Sequence, residues 1–333
     1  MTVRIGVVGL GRIGELHARN LAASGLVSSL YVHDADDART RLVAASLGAT
    51  PATDVEALLS SGIEGLVIAT PTPTHAGLVN GALQRDVAVF CEKPLGASIE
   101  AGLAIAALAD ERCAALQVGL QRRCDPQLCS VREGLAAEAD GRLLGLRIVS
   151  TSWQPPPPAY LAASGGFFRD KLLHDIDVVR WITGRTIDAV AVTGCGAATG
   201  WIGETGDVDT VSVSLLLGGG VVAQIWAARL APTRFEFRLE AVSERRTVVA
   251  GRWPEGDPPD MARRESPFPT FLSRFEEAYA EELASFCRLV GGTGENVCTA
   301  TDAMASEVAA AAAERAWREG RVVHAGASEA GEG

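Results

Sequence analysis

The chain has 333 residues, of which 47% are hydrophobic and 21% charged, and its formal net charge is −11. This length suits about two domains, and no lysine- or arginine-rich run indicates a surface for nucleic acid. No apolar segment is long enough to cross a bilayer and no signal peptide pattern is present, so we expect a cytoplasmic protein without a membrane partner. The seven cysteines are scattered with no CxxC pair, which favours free thiols in a reducing compartment, and we expect no bound metal.

The N-terminal part alternates short apolar runs with helical patterns. The candidate strands are RIGVVG, LYVHD, GLVIAT, VAVFCE and AALQVG. Apolar runs separated by helices are typical of parallel strands that are buried on both faces. We therefore predict an α/β domain over residues 1–121.

The pattern changes after Gly141. One helical stretch, GGFFRDKLLHDIDVVRW at 165–181, precedes strand-like runs without intervening helices: TIDAVAVTGCG, DTVSVSLLL, VVAQIWAARL, RFEFRLEAV and RRTVVAG. The segment LLGGGVV predicts a hairpin, and two helical patterns follow near 271–290 and 302–318. We predict an α+β domain with a mostly antiparallel sheet over residues 122–325 and a disordered tail over 326–333.

The first motif with chemical content is VVGLGRIG, in which Gly9, Gly11 and Gly14 have GxGxxG spacing between a strand and a helix. Glycines at these places allow a tight turn, close approach of a pyrophosphate and close packing of the helix. The helix N-terminus, near Arg12 and Ile13, would then face the phosphates. The motif predicts a Rossmann dinucleotide-binding site, and the alternative is that the glycines serve the turn alone.

Asp34 supports the dinucleotide interpretation. It ends the second strand pattern, 20 residues after Gly14, where an acidic residue binds the adenosine ribose hydroxyls. Its charge would repel a 2′-phosphate, and no arginine follows before Arg39. We therefore favour NAD over NADP as the cofactor, against the alternative that Asp34 is a solvated strand end.

The segment ATPTPTHAGLV at 69–79 lies between a strand and a helix. Such a loop lies at the carboxyl edge of an open α/β sheet, where ligands bind. We expect Thr70, Thr72 and His75 to face the cofactor. The alternative for Thr74 and His75 is helix capping alone.

The segment CEKPLG at 91–96 ends a buried strand with Glu92 and Lys93. The residue before a proline is held extended, which directs Lys93 outward at the same sheet edge. A lysine there can hydrogen bond a reacting hydroxyl or carbonyl group and favour the developing alkoxide. We place both residues at the cofactor site, and the alternative is a surface lysine at a strand end.

In the helical stretch at 165–181, Asp170, His174 and Asp177 fall at i, i+4 and i+7 and share one face. Histidine titrates near working pH and can take the proton of an alcohol, while a carboxylate one turn away fixes its tautomer. Asp177 could bind neighbouring hydroxyl groups. The alternative is an acid-rich helix start with a half-buried histidine.

Together these segments resemble the Gfo/Idh/MocA family, which includes glucose–fructose oxidoreductases and inositol dehydrogenases. The resemblance covers nearly the whole chain and includes TPTPTHA, EKPLG, VGLQRRCDP and PPPPAYLAASGGFFRDKLLHDIDVVRWITG. Within this resemblance, the most specific feature is the EKP block followed by the D-x-x-x-H-D block. It implies a Rossmann domain followed by an α+β domain whose open sheet packs against another subunit, giving a homodimer or homotetramer.

The same resemblance implies a catalytic set. Lys93 and His174 would touch the reacting oxygen, with His174 as the acid/base that Asp170 orients. We place four residues in the substrate-binding set: Arg123, Trp153, Asp177 and Phe235. Phe235 stands where inositol dehydrogenases often carry a tyrosine, and the loss of that hydroxyl partner favours a deoxy, amino or methylated substrate.

We therefore predict an NAD-dependent dehydrogenase that reversibly oxidises a secondary alcohol of a cyclic polyol or sugar, such as an inositol, inosamine or pyranose derivative. Three alternatives stay open. They are a biosynthetic keto-sugar reductase, an enzyme that cleaves a glycosidic bond through transient oxidation by bound NAD, and a non-enzymatic dinucleotide sensor. A sensor does not need the EKP and D-x-x-x-H residues.

Overall fold

The computed structural model describes residues 1–137, 140–231, 235–251 and 268–324, and the predicted tail at 326–333 lies outside these ranges. The chain divides into two compact units. The first comprises Met1–Cys124 with Glu277–Ala305, and the second comprises Asp125–Glu276 with Ser306–Gly333. Each unit is built around its own sheet.

Strands and helices alternate in the N-terminal segment of the first unit. The strands are β1 (Val3–Val8), β2 (Val27–His33), β3 (Thr50–Pro51), β4 (Gly65–Ile68), β5 (Ala88–Glu92) and β6 (Leu116–Gly119). The helices are α1 (Arg12–Ala23), α2 (Asp37–Leu47), α3 (Val55–Ser60), α4 (His75–Leu83) and α5 (Ile99–Glu111).

The first sheet is parallel, with strand order β3-β2-β1-β4-β5-β6. Five of the six residues of β1 are buried, because helices cover both faces of the sheet. The Asp36 side chain caps α2 by accepting from two backbone N–H groups, and Gly48 ends the same helix in the left-handed conformation. The predicted α/β Rossmann architecture is confirmed.

The rest of the chain carries the remaining elements. The helices are α6 (Pro126–Ala136), α7 (Pro158–Ala163), α8 (Leu173–Thr183), α9 (Gly200–Glu204), α10 (Phe271–Arg274), α11 (Glu276–Val290) and α12 (Ala300–Glu319). The strands are β7 (Leu143–Thr151), β8 (Ile187–Cys195), β9 (Thr210–Leu217), β10 (Val221–Ala228), β11 (Glu236–Ser243), β12 (Thr247–Ala250) and β13 (Val323–His324).

The second sheet has the order β12-β11-β7-β10-β9-β8-β13. Its pairs are antiparallel except that between β7 and β10, so the predicted mostly antiparallel sheet is confirmed. Gly219 and Gly220, both with positive φ, form the predicted hairpin between β9 and β10. The interior strand β7 was not predicted, and its parallel pairing with β10 makes the sheet mixed.

The segment Glu277–Ala305 groups with the first unit, whereas the sequence-based boundary at residue 121 placed it in the second domain. The physical reason is the apolar face of α11. Leu283 and Phe286 lie in the same core cluster as Phe90 of β5, and the rings of Phe90 and Phe286 are 5.8 Å apart in an edge-to-face arrangement.

None of the seven cysteines forms a disulfide bond, as predicted, and three of them, Cys113, Cys129 and Cys195, are at least partly exposed. Among the helices that the structure describes, none combines the length and the apolar character needed to cross a membrane.

Candidate active site

The three glycines of the GxGxxG motif have different steric roles between β1 and α1. Gly9 has a φ of +85°, and a Cβ there would lie 2.7 Å from the carbonyl oxygen of Ala69. A Cβ on Gly14 would lie 1.8 Å from the Gly9 carbonyl oxygen, so α1 can pack against the turn only with glycine there. At Gly11, no heavy atom of the described residues beyond its chain neighbours lies within 4 Å of the added Cβ. Two glycines thus serve the fold, and the third leaves open space.

The N-terminus of α1 fits the pyrophosphate of a dinucleotide. Gly11 is the N-cap residue, and it has no side chain that could occupy the end of the helix. The first N–H groups of an α-helix have no intrahelical acceptor, and the helix dipole adds partial positive charge there. Backbone groups at Gly11, Arg12 and Ile13 can therefore hold the phosphates.

Asp34 follows β2 at the same sheet edge. One carboxylate oxygen accepts from the Leu10 N–H at 2.6 Å, and the other accepts from the Asp36 N–H at 2.9 Å. A carboxylate offers about four acceptor positions, so these bonds orient Asp34 and leave capacity for ribose hydroxyls. Arg39 donates to the Leu10 carbonyl oxygen at 2.7 Å, which places its guanidinium beside the glycine loop. The spacing in the sequence did not reveal that contact.

His75 connects two of the predicted loops. Its Nε2 lies 2.9 Å from the Thr70 carbonyl oxygen, and its Nδ1 lies 3.0 Å from the Pro94 carbonyl oxygen. The side chain is 1% exposed, so it holds the loops after β4 and β5 together. The hydroxyl groups of Thr70 and Thr74 are 2.6 Å apart, and Thr72 begins a 3₁₀ turn. Thr70 and Thr72 are partly exposed and remain the candidates that face a cofactor.

The EKP loop is held from another direction by His17 of α1. His17 Nε2 donates to Glu92 Oε1 at 2.7 Å, and Glu92 Oε2 accepts from the Lys93 backbone N–H at 3.2 Å. Lys93 itself is half-buried. Sequence analysis did not single out His17. The available signal was its position three residues after Gly14, on the buried face of α1.

The stretch that carries Asp170 and His174 is not a uniform α-helix. Phe168–Leu172 forms a π-helix, in which the Leu173 N–H donates to the Phe168 carbonyl oxygen five residues earlier. The regular helical period expected from the sequence is therefore wrong for this turn. Such turns are frequent at functional sites, and they redirect the neighbouring side chains. Asp170 and His174 are both half-buried.

Asp170 is held by two residues that are distant in the sequence. The Tyr160 hydroxyl donates to Oδ1 at 2.9 Å, and Arg229 Nη1 donates to Oδ2 at 3.3 Å. The Arg229 guanidinium lies 5.3 Å from the ring centre of Phe167, which adds a cation–π contact. Charge-assisted bonds of this kind fix the orientation of the carboxylate. Tyr160 and Arg229 are functional candidates that no local sequence pattern indicated.

Asp177 has buried surroundings. It is 1% exposed, and its Oδ1 accepts from the Ser306 hydroxyl of α12 at 2.8 Å. Ser306 in turn accepts from Arg180 at 2.7 Å. This network ties α8 to α12, and a substrate contact of Asp177 stays a prediction.

Arg123 and Trp153 lie in contrasting environments. Arg123 is 5% exposed and donates from Nη1 to the Val297 carbonyl oxygen at 3.2 Å and to the Asp302 carboxylate at 3.3 Å. Trp153, just beyond β7, is 44% exposed. The structure thus gives Arg123 a role in holding the start of α12, and it leaves Trp153 accessible.

Phe235 packs in an aromatic cluster. It is 4% exposed, and its ring centre lies 6.4 Å from that of Phe271 and 6.0 Å from that of Phe275. These contacts account for Phe235 as a core residue. The comparison with a substrate-facing tyrosine receives no support from these surroundings.

Two family models match the chain. Residues 3–120 match the Gfo/Idh/MocA oxidoreductase family with an NAD-binding Rossmann fold. Residues 129–249 match the C-terminal domain of the Gfo/Idh/MocA family.

Individual relatives agree with the models. The inositol 2-dehydrogenase of Rhizobium meliloti (strain 1021) is 32% identical over 331 residues, which cover 97% of this chain and 99% of that protein. The scyllo-inositol 2-dehydrogenase (NAD(+)) of Bacillus subtilis (strain 168) is 30% identical, with 96% of each chain covered. The solved structure of a myo-inositol dehydrogenase from Corynebacterium glutamicum ATCC 13032 matches with a TM-score of 0.90 at 29% identity, covering 98% of this chain and 100% of that chain. The chain therefore belongs to the Gfo/Idh/MocA family of oxidoreductases, and its first unit carries the NAD-binding Rossmann domain of that family.

Proposed function

We propose that this protein is an NAD-dependent dehydrogenase that reversibly oxidises a secondary alcohol of a cyclic polyol or sugar to a ketone. The proposed substrate class comprises inositols, inosamines and pyranose derivatives. The observation that carries the proposal is the fixed orientation of the Asp170 carboxylate, which Tyr160 and Arg229 hold one helical turn before His174. The chain also has Lys93 in its EKP segment. A dinucleotide sensor needs none of these groups.

The first unit supplies the cofactor contacts in this proposal. Backbone N–H groups at Gly11, Arg12 and Ile13 hold the pyrophosphate, and Asp34 accepts hydrogen bonds from the ribose hydroxyls. When bound, NAD accepts the hydride that leaves the alcohol carbon. The negative charge of Asp34 opposes a 2′-phosphate, which supports NAD over NADP.

Three side chains carry the proton chemistry. His174 takes the hydroxyl proton as a general base, and the Lys93 ammonium group stabilises the negative charge that develops on the oxygen. Asp170, held by Tyr160 and Arg229, orients the His174 ring and balances the positive charge that the ring acquires. In the reverse direction the same groups return the proton to the ketone oxygen, so the site serves oxidation and reduction alike.

The inositol dehydrogenases named above support a cyclic polyol as the substrate. Identities near 30% do not fix which polyol it is. Since Phe235 packs in the core, the preference for a substrate lacking one hydroxyl group rests on the sequence comparison alone. The cytoplasmic location expected from the sequence stays a prediction.

We also propose that the protein is a homodimer or homotetramer that uses the outer face of its second sheet. Leu216, Val222 and Val242 are 43%, 46% and 39% exposed. They lie in one row on β9, β10 and β11, with Gly145 of β7 between the last two. Trp226, four residues further along β10, is 45% exposed on the same face. An exposed apolar row of this kind is typical of a surface that another protein chain covers. Light scattering should give a mass of two or four chains, and Val222→Glu should reduce it.

The test of the activity is a spectroscopic panel. Purified protein is mixed with NAD and with inositols, amino- and deoxy-inositols and hexoses, and NADH absorbance is followed. We expect NADH formation with at least one cyclic polyol or sugar, and a weaker signal with NADP. The reverse assay uses ketone products and NADH.

The outcomes separate the alternatives. Much faster reduction than oxidation would indicate a biosynthetic reductase. Tightly bound NAD with glycoside cleavage and no net NADH would indicate the glycosidase-type reaction. NAD binding without turnover in either direction would contradict the dehydrogenase and favour a sensor.

A further inference from the structure

A buried polar cluster lies next to the loop of Lys93. It consists of His17 on α1, Glu92 at the end of β5 and Glu282 on α11, and one nitrogen or oxygen atom from each side chain lies within 4.8 Å of the other two. His17 and Glu282 are 0% and 2% exposed. None of the roles proposed above uses Glu282.

The shortest contact of the cluster is a hydrogen bond. His17 Nε2 and Glu92 Oε1 are 2.7 Å apart. Two ligand atoms of one tetrahedral zinc ion, each about 2.1 Å from the metal, would be roughly 3.4 Å apart. We therefore interpret the cluster as groups that share protons and not as the ligands of an ion. Two carboxyl groups this close resist carrying two negative charges, because like charges disfavour ionisation.

Glu282 lacks, among the described residues, a partner that would keep it ionised. Both of its carboxyl oxygens are buried there without a hydrogen bond, while its backbone carbonyl accepts from Gln117 Nε2 at 2.9 Å. Burial first, and the charge of Glu92 second, raise the pKa of Glu282 well above its usual value. The buried, unpaired carboxyl group of Glu282 therefore favours its neutral form, which has a proton to donate.

The other charged and titratable groups around the cluster come from three elements. Tyr279 lies one turn before Glu282 on α11, and burial, followed by Glu92 and Glu282, raises the pKa of its hydroxyl. Arg122 and Arg12 act in the opposite direction on that pKa. The Tyr279 oxygen accepts from Gln121 Nε2 at 2.9 Å. Glu92 already accepts hydrogen bonds from His17 and from the Lys93 N–H, so it is the acceptor for the Glu282 proton.

Glu92 connects the cluster to the catalytic loop. Its Oε1 accepts from His17, and its Oε2 accepts from the Lys93 backbone N–H. On the other side of the loop, the Pro94 carbonyl oxygen is bound by His75. The Glu92 carboxylate is thus an anchor that helps to fix the backbone around Lys93.

We propose that Glu282 is a positioning residue for Lys93: its neutral carboxyl group donates a hydrogen bond to Glu92, directly or through one water, and stabilises the anchor that Glu92 forms. The inference rests on the proposed function, because that function places Lys93 in the reaction. Loss of the Glu282 proton would put a second negative charge in the same apolar surroundings. Repulsion between the two carboxylates would then weaken the anchor.

The sign of the pH effect follows from the direction of the shift. The folded protein keeps the Glu282 proton in a pH range where the unfolded chain has lost it. The stability that this proton gives is fully present below the unfolded pKa, about 4.3, and is lost as the pH rises through the raised folded value. Lys93 should then be held less well, so kcat should fall as the pH rises through the folded pKa of Glu282.

Two variants at this position and one neighbouring control test the proposal. Glu282→Gln keeps an N–H donor and cannot ionise, whereas Glu282→Leu has no donor. Glu281→Gln makes the same chemical change at an adjacent exposed side chain that pairs with Arg288. We expect Glu282→Leu to lower kcat about tenfold or more with little change in the KM for NAD, and Glu282→Gln to stay within about threefold of the wild type. Wild-type kcat in Glu282→Leu, or equal losses in both variants, would overturn the proposal.

Unfolding as a function of pH tests the proton without any substrate. As the pH rises from the unfolded glutamate pKa of about 4.3 through the raised folded pKa, the wild type and Glu281→Gln should lose melting temperature relative to Glu282→Gln, which has no proton to lose. If the melting temperatures of the wild type and Glu282→Gln change with pH in parallel, the proposal is rejected. This result does not depend on whether any polyol of the panel reacts. The failure of the proposed function and the failure of this inference are therefore distinguishable. If Glu282→Leu does not fold, the pH profiles of kcat for Glu282→Gln and the wild type decide, with the variant active to higher pH.

Discussion

The two halves of the proposed active site are built in different ways. In the first unit, the cofactor site is a property of the backbone, because Gly9, Gly11 and Gly14 shape one turn and the end of one helix. In the second unit, the Asp170 side chain is fixed by Tyr160, 10 residues away, and Arg229, 59 residues away. A short motif therefore describes the first half, whereas the second half exists only after distant strands and helices have come together.

The most severe test asks whether both halves serve one reaction. Lys93→Ala removes the cation and His174→Asn removes the base, and we expect each to lower kcat by about 10² to 10⁴. NAD affinity, measured by titration calorimetry, should fall far less than kcat, because the glycine loop and Asp34 make the pyrophosphate and ribose contacts. Near-normal turnover in either variant would contradict the catalytic role proposed for the residue that the variant replaces.

A second test compares the two partners of Asp170. Arg229→Met removes one member of a buried ion pair, a change that costs about 3 to 5 kcal/mol of unfolding free energy. Tyr160→Phe removes one hydroxyl from a more exposed side chain and should cost about 1 kcal/mol. Both variants should lower kcat more than NAD affinity, because Asp170 then orients His174 less well. A loss of stability with unchanged kcat would reduce Arg229 to a purely structural residue.

The first half could be predicted from the sequence because its determinants are local. Three local patterns indicate where a strand ends: the glycine spacing, Asp34 at the end of β2 and the EKP block. Parallel strands bring those ends to one edge of the sheet. The anchors of these loops could not be predicted. His17 and Glu282 meet Glu92 only through the packing of α1 and α11 on the sheet, and no local pattern records a contact between residues so far apart.

The second half shows where periodicity fails. A regular helical period predicts that Asp170, His174 and Asp177 share one face, but a π-helical turn that includes Asp170 interrupts this period. Asp177 instead accepts a hydrogen bond from Ser306 of α12. The sequence did not predict strand β7, because its alternation is broken by Leu143 and Leu144 next to Gly145, although β7 is an interior strand of its sheet. The sequence therefore indicated candidate residues here, but it did not indicate the contacts that hold them.

A third test uses two glycines of the same motif. Gly14→Ala would place a Cβ 1.8 Å from the Gly9 carbonyl oxygen, so we expect a loss of about 2 kcal/mol or more in denaturant unfolding. Gly11→Ala meets open space and should keep stability within about 0.5 kcal/mol. It should nevertheless weaken NAD binding roughly tenfold, because the methyl group enters the place where the pyrophosphate approaches. Wild-type NAD affinity in Gly11→Ala would contradict the assignment of the loop.

The smallest expected effect distinguishes the cores of the two units by thiol labelling. Burial raises the pKa of Cys287, on α11, to about 11, so only about one thiol in a thousand is ionised at pH 8. Alkylation of Cys287 therefore requires local or global opening of the first unit, whereas the exposed Cys195 of the second unit reacts in the folded state. Since NAD stabilises the unit that binds it, added NAD should slow labelling of Cys287, read by mass spectrometry, and leave Cys195 unchanged. Labelling of Cys287 that does not respond to NAD would argue against grouping α11 with the cofactor-binding unit.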